Sequence, residues 1–242
     1  MALAGYPADR LSVIPNGFSS AGWAEPDAIA DLEAARFLGP RGGLDLLHVG
    51  STIPRKRIDL LLDVFAAIRA VRSTARLVRV GGPFTAEQRV RARDLGVLDA
   101  IAVLPFVDRA TLSAVYRRAA VALLPSEREG FGLPIVEALG CGTPMVASDI
   151  PVLREVGGEA VEYCGVGDIG AWRDTVVTLL AEREGARERW AARRAAGLER
   201  AADFSWSRYA EQVVAVYDAV AGRAFSPVNP TTGVRATGAP DA

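Results

Sequence analysis

Two glutamates, Glu129 and Glu137, and the seven residues between them are the part of this 242-residue chain best suited to chemistry. The run reads Glu129-Gly130-Phe131-Gly132-Leu133-Pro134-Ile135-Val136-Glu137. Gly130-Phe131-Gly132 makes a flexible turn. Pro134 suits the first turn of a helix, where its missing N–H is not needed and its φ is already helical. Glu129 is therefore expected on the loop before a helix, and Glu137 on that helix one or two turns in. The unpaired N–H groups of a helix start attract anions. Carboxylate acceptors on either side of such a phosphate-sized positive end suit a ligand that is part phosphate and part polyol.

The elements that must position this run alternate along the chain. Residues 44–49 form a short apolar run ending in Gly50, which reads as a buried strand. Residues 58–71 carry apolar side chains at helical spacing, at Leu61, Leu62, Phe65 and Ile68. Residues 76–80 read as a strand closed by Gly81-Gly82-Pro83. A helix over 85–95 follows, with Thr85 as N-cap and Gly96 as stop. Then come a strand at 101–104, a helix capped by Asp108 and running to about Arg118, and a strand at 120–124. The helix after Glu129 covers 132–139. A strand at 145–147, a short helix at 152–156 and a strand at 160–163 lead to three closing helices that start near Asp168, Ala186 and Ser207. Apolar strands alternating with helices predict an α/β domain, a Rossmann-like doubly wound parallel sheet covered on both faces. Ligands of such sheets bind at the carboxyl ends of the strands.

Composition narrows the class. Half of the residues are hydrophobic, enough for a large core. A net charge of −1 implies no general affinity for nucleic acid. Cys141 and Cys164 have no metal-ligand spacing and suggest a reducing compartment. No secretory signal pattern and no apolar run near membrane-spanning length is visible. The expected location is cytoplasmic, with peripheral attachment at the inner membrane face as the alternative.

The segment from Pro125 to Ala138 resembles the E-x7-E segment of retaining GT-B glycosyltransferases of the group 1 or family 4 type. So does the run from Gly140 through Gly158, and so does the earlier Val49-Gly50-Ser51-Thr52-Ile53-Pro54-Arg55-Lys56-Arg57. Each piece alone is a weak signal; their order and spacing together are specific, and the similarity covers about residues 11–220. The resemblance implies the C-terminal, donor-binding half of a GT-B fold. On that basis residues 1–40 are expected to be a linker region from a missing N-terminal domain, and residues 41–222 the nucleotide-sugar-binding domain with its C-terminal helices. Residues 223–242, rich in proline, glycine and small polar residues, are expected to be a disordered tail.

What the resemblance implies for individual residues follows. Lys56, with Arg55 as helper, would contact phosphate and neutralise the leaving diphosphate. The family often has an arginine directly after the strand glycine, where this chain has Ser51; the bland alternative is a solvated basic turn. Glu137 would hold the ribose hydroxyls, against an ordinary helix-surface role. Glu129 would serve the donor sugar, as a catalytic group with Lys56; the alternative is a charge favoured by the helix dipole. Gly130, Phe131, Gly132 and Leu133 would offer backbone N–H groups. Gly82 would face the cleft, with a plain turn equally open, and Phe106 and Val107 would hold the base, with core packing equally open. His48 and Cys141 are expected to be structural.

The implied reaction is transfer of a sugar from a nucleotide-diphosphate sugar with retention at the anomeric carbon. No metal and no cofactor is expected, only the nucleotide sugar as donor substrate. The acceptor is undefined: a glycan, a lipid-linked or a small molecule. A full family member has two Rossmann-like domains, so this chain is a fragment, takes its other half from a separate chain, or acts alone as a binding or interaction module. A nicotinamide dehydrogenase is disfavoured, because Gly50-Ser51-Thr52-Ile53-Pro54 does not match G-x-G-x-x-G.

Overall fold

A computed structural model describes residues 10–39 and 43–222. The tail expected at 223–242 lies outside the described residues. Six parallel strands form one sheet: β1 (Leu44–Val49), β2 (Ala75–Val80), β3 (Ile101–Leu104), β4 (Val121–Leu124), β5 (Met145–Ser148) and β6 (Glu162–Cys164). Their spatial order is β3-β2-β1-β4-β5-β6. This is the doubly wound order: the chain winds outward from β1 to β3, crosses back to β4 and winds the other way, so the strand order reverses between β1 and β4.

The strands are apolar on both sides, and alternate residues feed two cores. Leu47, Val78, Val80, Ala122, Leu124 and Ala147 face one. Leu46, Leu77, Val121, Leu123 and Val146 face the other. The first face is covered by α1 (Ala28–Leu38), α4 (Arg109–Arg118), α5 (Leu133–Gly140) and α6 (Pro151–Gly157), with α8 (Arg187–Ala202) packed on α5. The second is covered by α2 (Ile58–Val71), α3 (Ala86–Asp94) and α7 (Ile169–Gly185). The last helix, α9 (Trp206–Ala221), has no buried residue.

Local signals act as their chemistry dictates. Thr85 and Gln88 form a reciprocal capping box on α3, Asp108 caps α4 through Thr111 N–H, and Asp168 caps α7 through Ala171 N–H. Two details depart from the sequence reading. The strand expected at 160–163 lies at Glu162–Cys164, because Gly158–Ala160 closes a 3-10 turn first. Residues 28–38 form a helix where none was expected. Asp27 caps it, its carboxylate accepting from the N–H groups of Ile29 and Ala30, and it packs on α4. Phe18 and Trp23, just before it, are buried against the first core. Among the described residues no helix is long and apolar enough to cross a membrane.

Candidate functional site

The carboxyl ends of β1 and β4 face each other at the switch point, and the loops leaving them carry the candidate residues. After β1, a 3-10 turn at Pro54–Lys56 ends on Arg57, whose φ of 49° is left-handed. Arg57 is the one non-glycine residue in that region among the described residues, and its N–H closes the turn onto Pro54 O. The turn directs Lys56 inward, so that only 7% of the residue is exposed. After β4, the Glu129 loop leads into α5, and Glu127 N–H donates to Arg55 O at 2.8 Å, joining the two loops.

The structure brings Lys56, Arg55 and Glu129 into direct contact. Lys56 Nζ lies 2.5 Å from Glu129 Oε1, and Arg55 Nη1 lies 2.8 Å from Oε2. Arg55 also donates to Arg128 O. The Glu129 and Lys56 side chains are 6% and 9% exposed, so the pair is taken out of water, whereas Arg55 stays at the rim at 38%. Burial pushes the Glu129 carboxyl up, but donation from Lys56 and Arg55 outweighs it and holds the group below the ordinary carboxylate value.

Glu137 lies on α5, as the spacing predicted, in a different setting. Its Oε2 accepts from the hydroxyl of the buried Tyr116 at 3.0 Å. Burial raises the Glu137 carboxyl above its ordinary value, with Tyr116 donation and the positive charge of Lys56 opposing the rise. Tyr116 is driven well up in turn, by burial and by the neighbouring carboxylate. Lys56 thus acts electrostatically on both carboxylates.

Between the two glutamates the backbone turns sharply. Gly132 has φ 99°, and a side chain there would also meet Leu153. Pro134 lies in the first turn of α5. The N–H groups of Phe131, Gly132 and Leu133 have no acceptor among the described residues. The Phe131 ring packs edge-on against Phe204, 5.6 Å between centroids, and Leu133 is exposed.

The pair Phe106-Val107 divides. Val107 packs against the core, while Phe106 is 81% exposed, its ring near Gly82. His48 is fully buried, and burial, then the charges of Arg79 and Lys56, take it down to about 3. It is therefore neutral, and neither ring nitrogen has a hydrogen-bond partner among the described residues. Cys141 is buried too, its thiol pushed up to about 12. Tyr116 and Arg79, the latter fully buried on β2 beside His48, went unnoticed in the sequence. Tyr116 sits in an ordinary apolar helix stripe, and Arg79 in a strand whose arginines look alike. A separate hollow at the α8–α9 corner is lined by Arg200, Asp203, Arg208 and Tyr209, and its two arginines are already paired with Asp203.

Similarity to known proteins defines the fold and the family. Sucrose-phosphate synthase from Thermosynechococcus elongatus superposes with a TM-score of 0.72 at 27% identity, over 86% of this chain and 52% of that one. The Anabaena protein Alr3699/HepE, solved in complex with UDP, gives 0.77 at 20% identity, over 89% and 59%. The fold is thus the Rossmann-like α/β fold of GT-B glycosyltransferases. The chain belongs to the family described as glycosyl transferases group 1, whose pattern matches residues 34–196. It is 36% identical over 186 residues to a phosphatidyl-myo-inositol mannosyltransferase of Mycobacterium leprae, covering 75% of this chain and 48% of that protein. It is 32% identical over 241 residues to a D-inositol 3-phosphate glycosyltransferase of Segniliparus rotundus, covering 94% and 52%. The chain therefore spans about half the length of these relatives.

Proposed function

We propose that this chain is the donor-binding half of a retaining glycosyltransferase, taking a sugar from a nucleotide-diphosphate sugar. The observation that carries the reading is the buried contact of Lys56 with Glu129 on the loop leading into α5, with Glu137 about one turn inside that helix. In this reading the diphosphate lies against the N–H groups of residues 131–133 and draws Lys56 and Arg55 toward itself. The bond from the anomeric carbon to phosphate oxygen breaks, the acceptor oxygen bonds to the same face, and the leaving phosphate takes the acceptor's proton. The two cations neutralise the charge that develops on the phosphate. Glu129 is placed to stabilise positive charge on the sugar. Glu137 accepts from the ribose hydroxyls with the oxygen that Tyr116 leaves open. Phe106 and Gly82 border the base. No metal or cofactor takes part, and the site of action is the cytoplasm.

The acceptor contacts belong to a second Rossmann-like domain, either earlier in a longer polypeptide or on a separate chain. A second reading is a nucleotide-sugar-binding module without turnover of its own. Calorimetric titration with UDP and GDP in the presence of EDTA tests the donor site. Binding of either supports it, and no heat with either at millimolar ligand overturns it. Sugar transfer by the isolated chain to a defined acceptor would exclude the second reading.

A further inference from the structure

Arg79 is the most unusual charged residue of the domain. It is fully buried on β2 and has no carboxylate partner among the described residues. Burial lowers its guanidinium to about 10, so it remains charged at neutral pH. Buried charges are normally paired, because leaving water is costly. Here carbonyls meet part of the cost, through the two terminal nitrogens, while Nε has no hydrogen-bond partner among the described residues. Arg79 donates to Gly50 O at 2.9 Å and, more closely, to Gly82 O, and its guanidinium lies over the Phe84 ring, 5.1 Å from the centroid.

These two carbonyls belong to different loops. Gly50 opens the loop from β1 to Lys56, and Gly82 opens the loop from β2 to α3. The loops touch: a side chain at Gly81 would lie 2.1 Å from Gly50 O, and Gly50 N–H donates to Val80 O. The planar trans peptide makes the second link. With Gly50 O turned in toward Arg79, Ser51 N–H points the opposite way, and it has no acceptor among the described residues. Lys56 lies five residues further on, its stem packed over Gly50.

We propose that Arg79 is a positioning residue of the site: its guanidinium clamps the loops that follow β1 and β2 and, through the first, sets Lys56 and the Ser51 N–H in place. Only arginine has a fork of donors wide enough to hold two carbonyls at once. Lysine supplies the charge without the fork. The inference rests on the donor-site reading for its effect on ligands, though not for its effect on the loops.

The experiment therefore has two readouts, on wild type, Arg79→Lys and Arg79→Met. Hydrogen exchange reports the amides of residues 50–56, with those of β5 as an internal control for folding. Calorimetry reports UDP and GDP. The expected result is faster exchange at 50–56 in both variants with β5 unchanged, and nucleoside diphosphate binding weaker by roughly tenfold to hundredfold in Arg79→Met. Arg79→Lys should recover only part of that loss. Unchanged exchange at 50–56 in both variants overturns the clamp. So does uniform loosening of both segments in both variants, which would mean a packing role only. Failure of the wild type to bind either nucleotide, with selective loosening at 50–56, overturns the donor-site reading and leaves the clamp standing.

Discussion

Glu129 and Glu137 flank the same helix start, yet the domain treats them in opposite ways. Glu129 is held by two cations and is kept ionised despite its burial. Glu137 has a neutral phenol as its hydrogen-bond partner, and burial lifts its carboxyl. The same residue type thus acquires two characters from its partners alone, the usual way in which one site separates the tasks of two carboxylates. A carboxylate tied to cations is available to a ligand only when that ligand takes the cations over. One beside a neutral donor keeps an oxygen open. The first suits a group that responds to an arriving diphosphate, the second a fixed holder of hydroxyls.

The largest test of this contrast is Lys56→Met. It leaves Glu129 buried with only the rim arginine, and should lower stability by about 2–3 kcal/mol in urea unfolding. Arg55→Met, at an exposed partner, should cost less than about 1 kcal/mol. Equal losses would mean that burial does not separate the two cations. Next, Glu137→Ala should weaken nucleoside diphosphate binding by about 1–3 kcal/mol by calorimetry. Glu129→Ala should leave that binding unchanged or tighter, since it releases Lys56, while weakening the intact nucleotide sugar. The same loss in both variants would erase the division of roles.

Tyr116→Phe is a finer probe. It removes only the donation to Glu137 and should cost about 0.5–1.5 kcal/mol of stability. Smaller still is a pH effect of opposite sign at the two residues. The folded value of Glu129 lies below its unfolded one, so its stabilisation is complete above the unfolded value and disappears as pH falls through the folded value. The folded value of Glu137 lies above its unfolded one, so its ionised form costs stability as pH rises through that window. Glu137→Gln should therefore gain on the wild type between acidic and neutral pH in urea unfolding, and Glu129→Gln should fall behind it. Parallel pH curves for the two variants would refute the contrast.

Most of the architecture was legible because parallel strands buried on both faces are continuous apolar runs, as at 44–49 and 121–124, and because caps such as Thr85 and Asp108 mark helix starts. The helix at 28–38 escaped notice although Asp27 and Gly39 bracket it. Exposed Ile29, Leu32 and Phe37 blur its apolar stripe. At the site, the loop position of Glu129 and the helix position of Glu137 followed from Pro134 and the glycines. The contact of Lys56 with Glu129 did not, because 73 residues separate them and only the sheet order joins their loops. Arg79 was illegible for a simpler reason. Arg76 and Arg79 share one strand, but opposite faces take one, still partly exposed, to Asp45 near the start of β1 and bury the other completely.

Phe18 has a mechanical consequence. Its ring sits on Gly140, the last residue of α5, where any side chain would collide with it, and its N–H donates to Phe204 O at the α8–α9 corner. Phe204 in turn meets Phe131 at the other end of α5. A helix of eight residues is a rod about 12 Å long, too short to bend appreciably. The segment before α1 is therefore joined to both ends of α5, at Gly140 by direct contact and near Gly132 through Phe204 and Phe131, so the leading segment and the anion-facing helix form one packed unit.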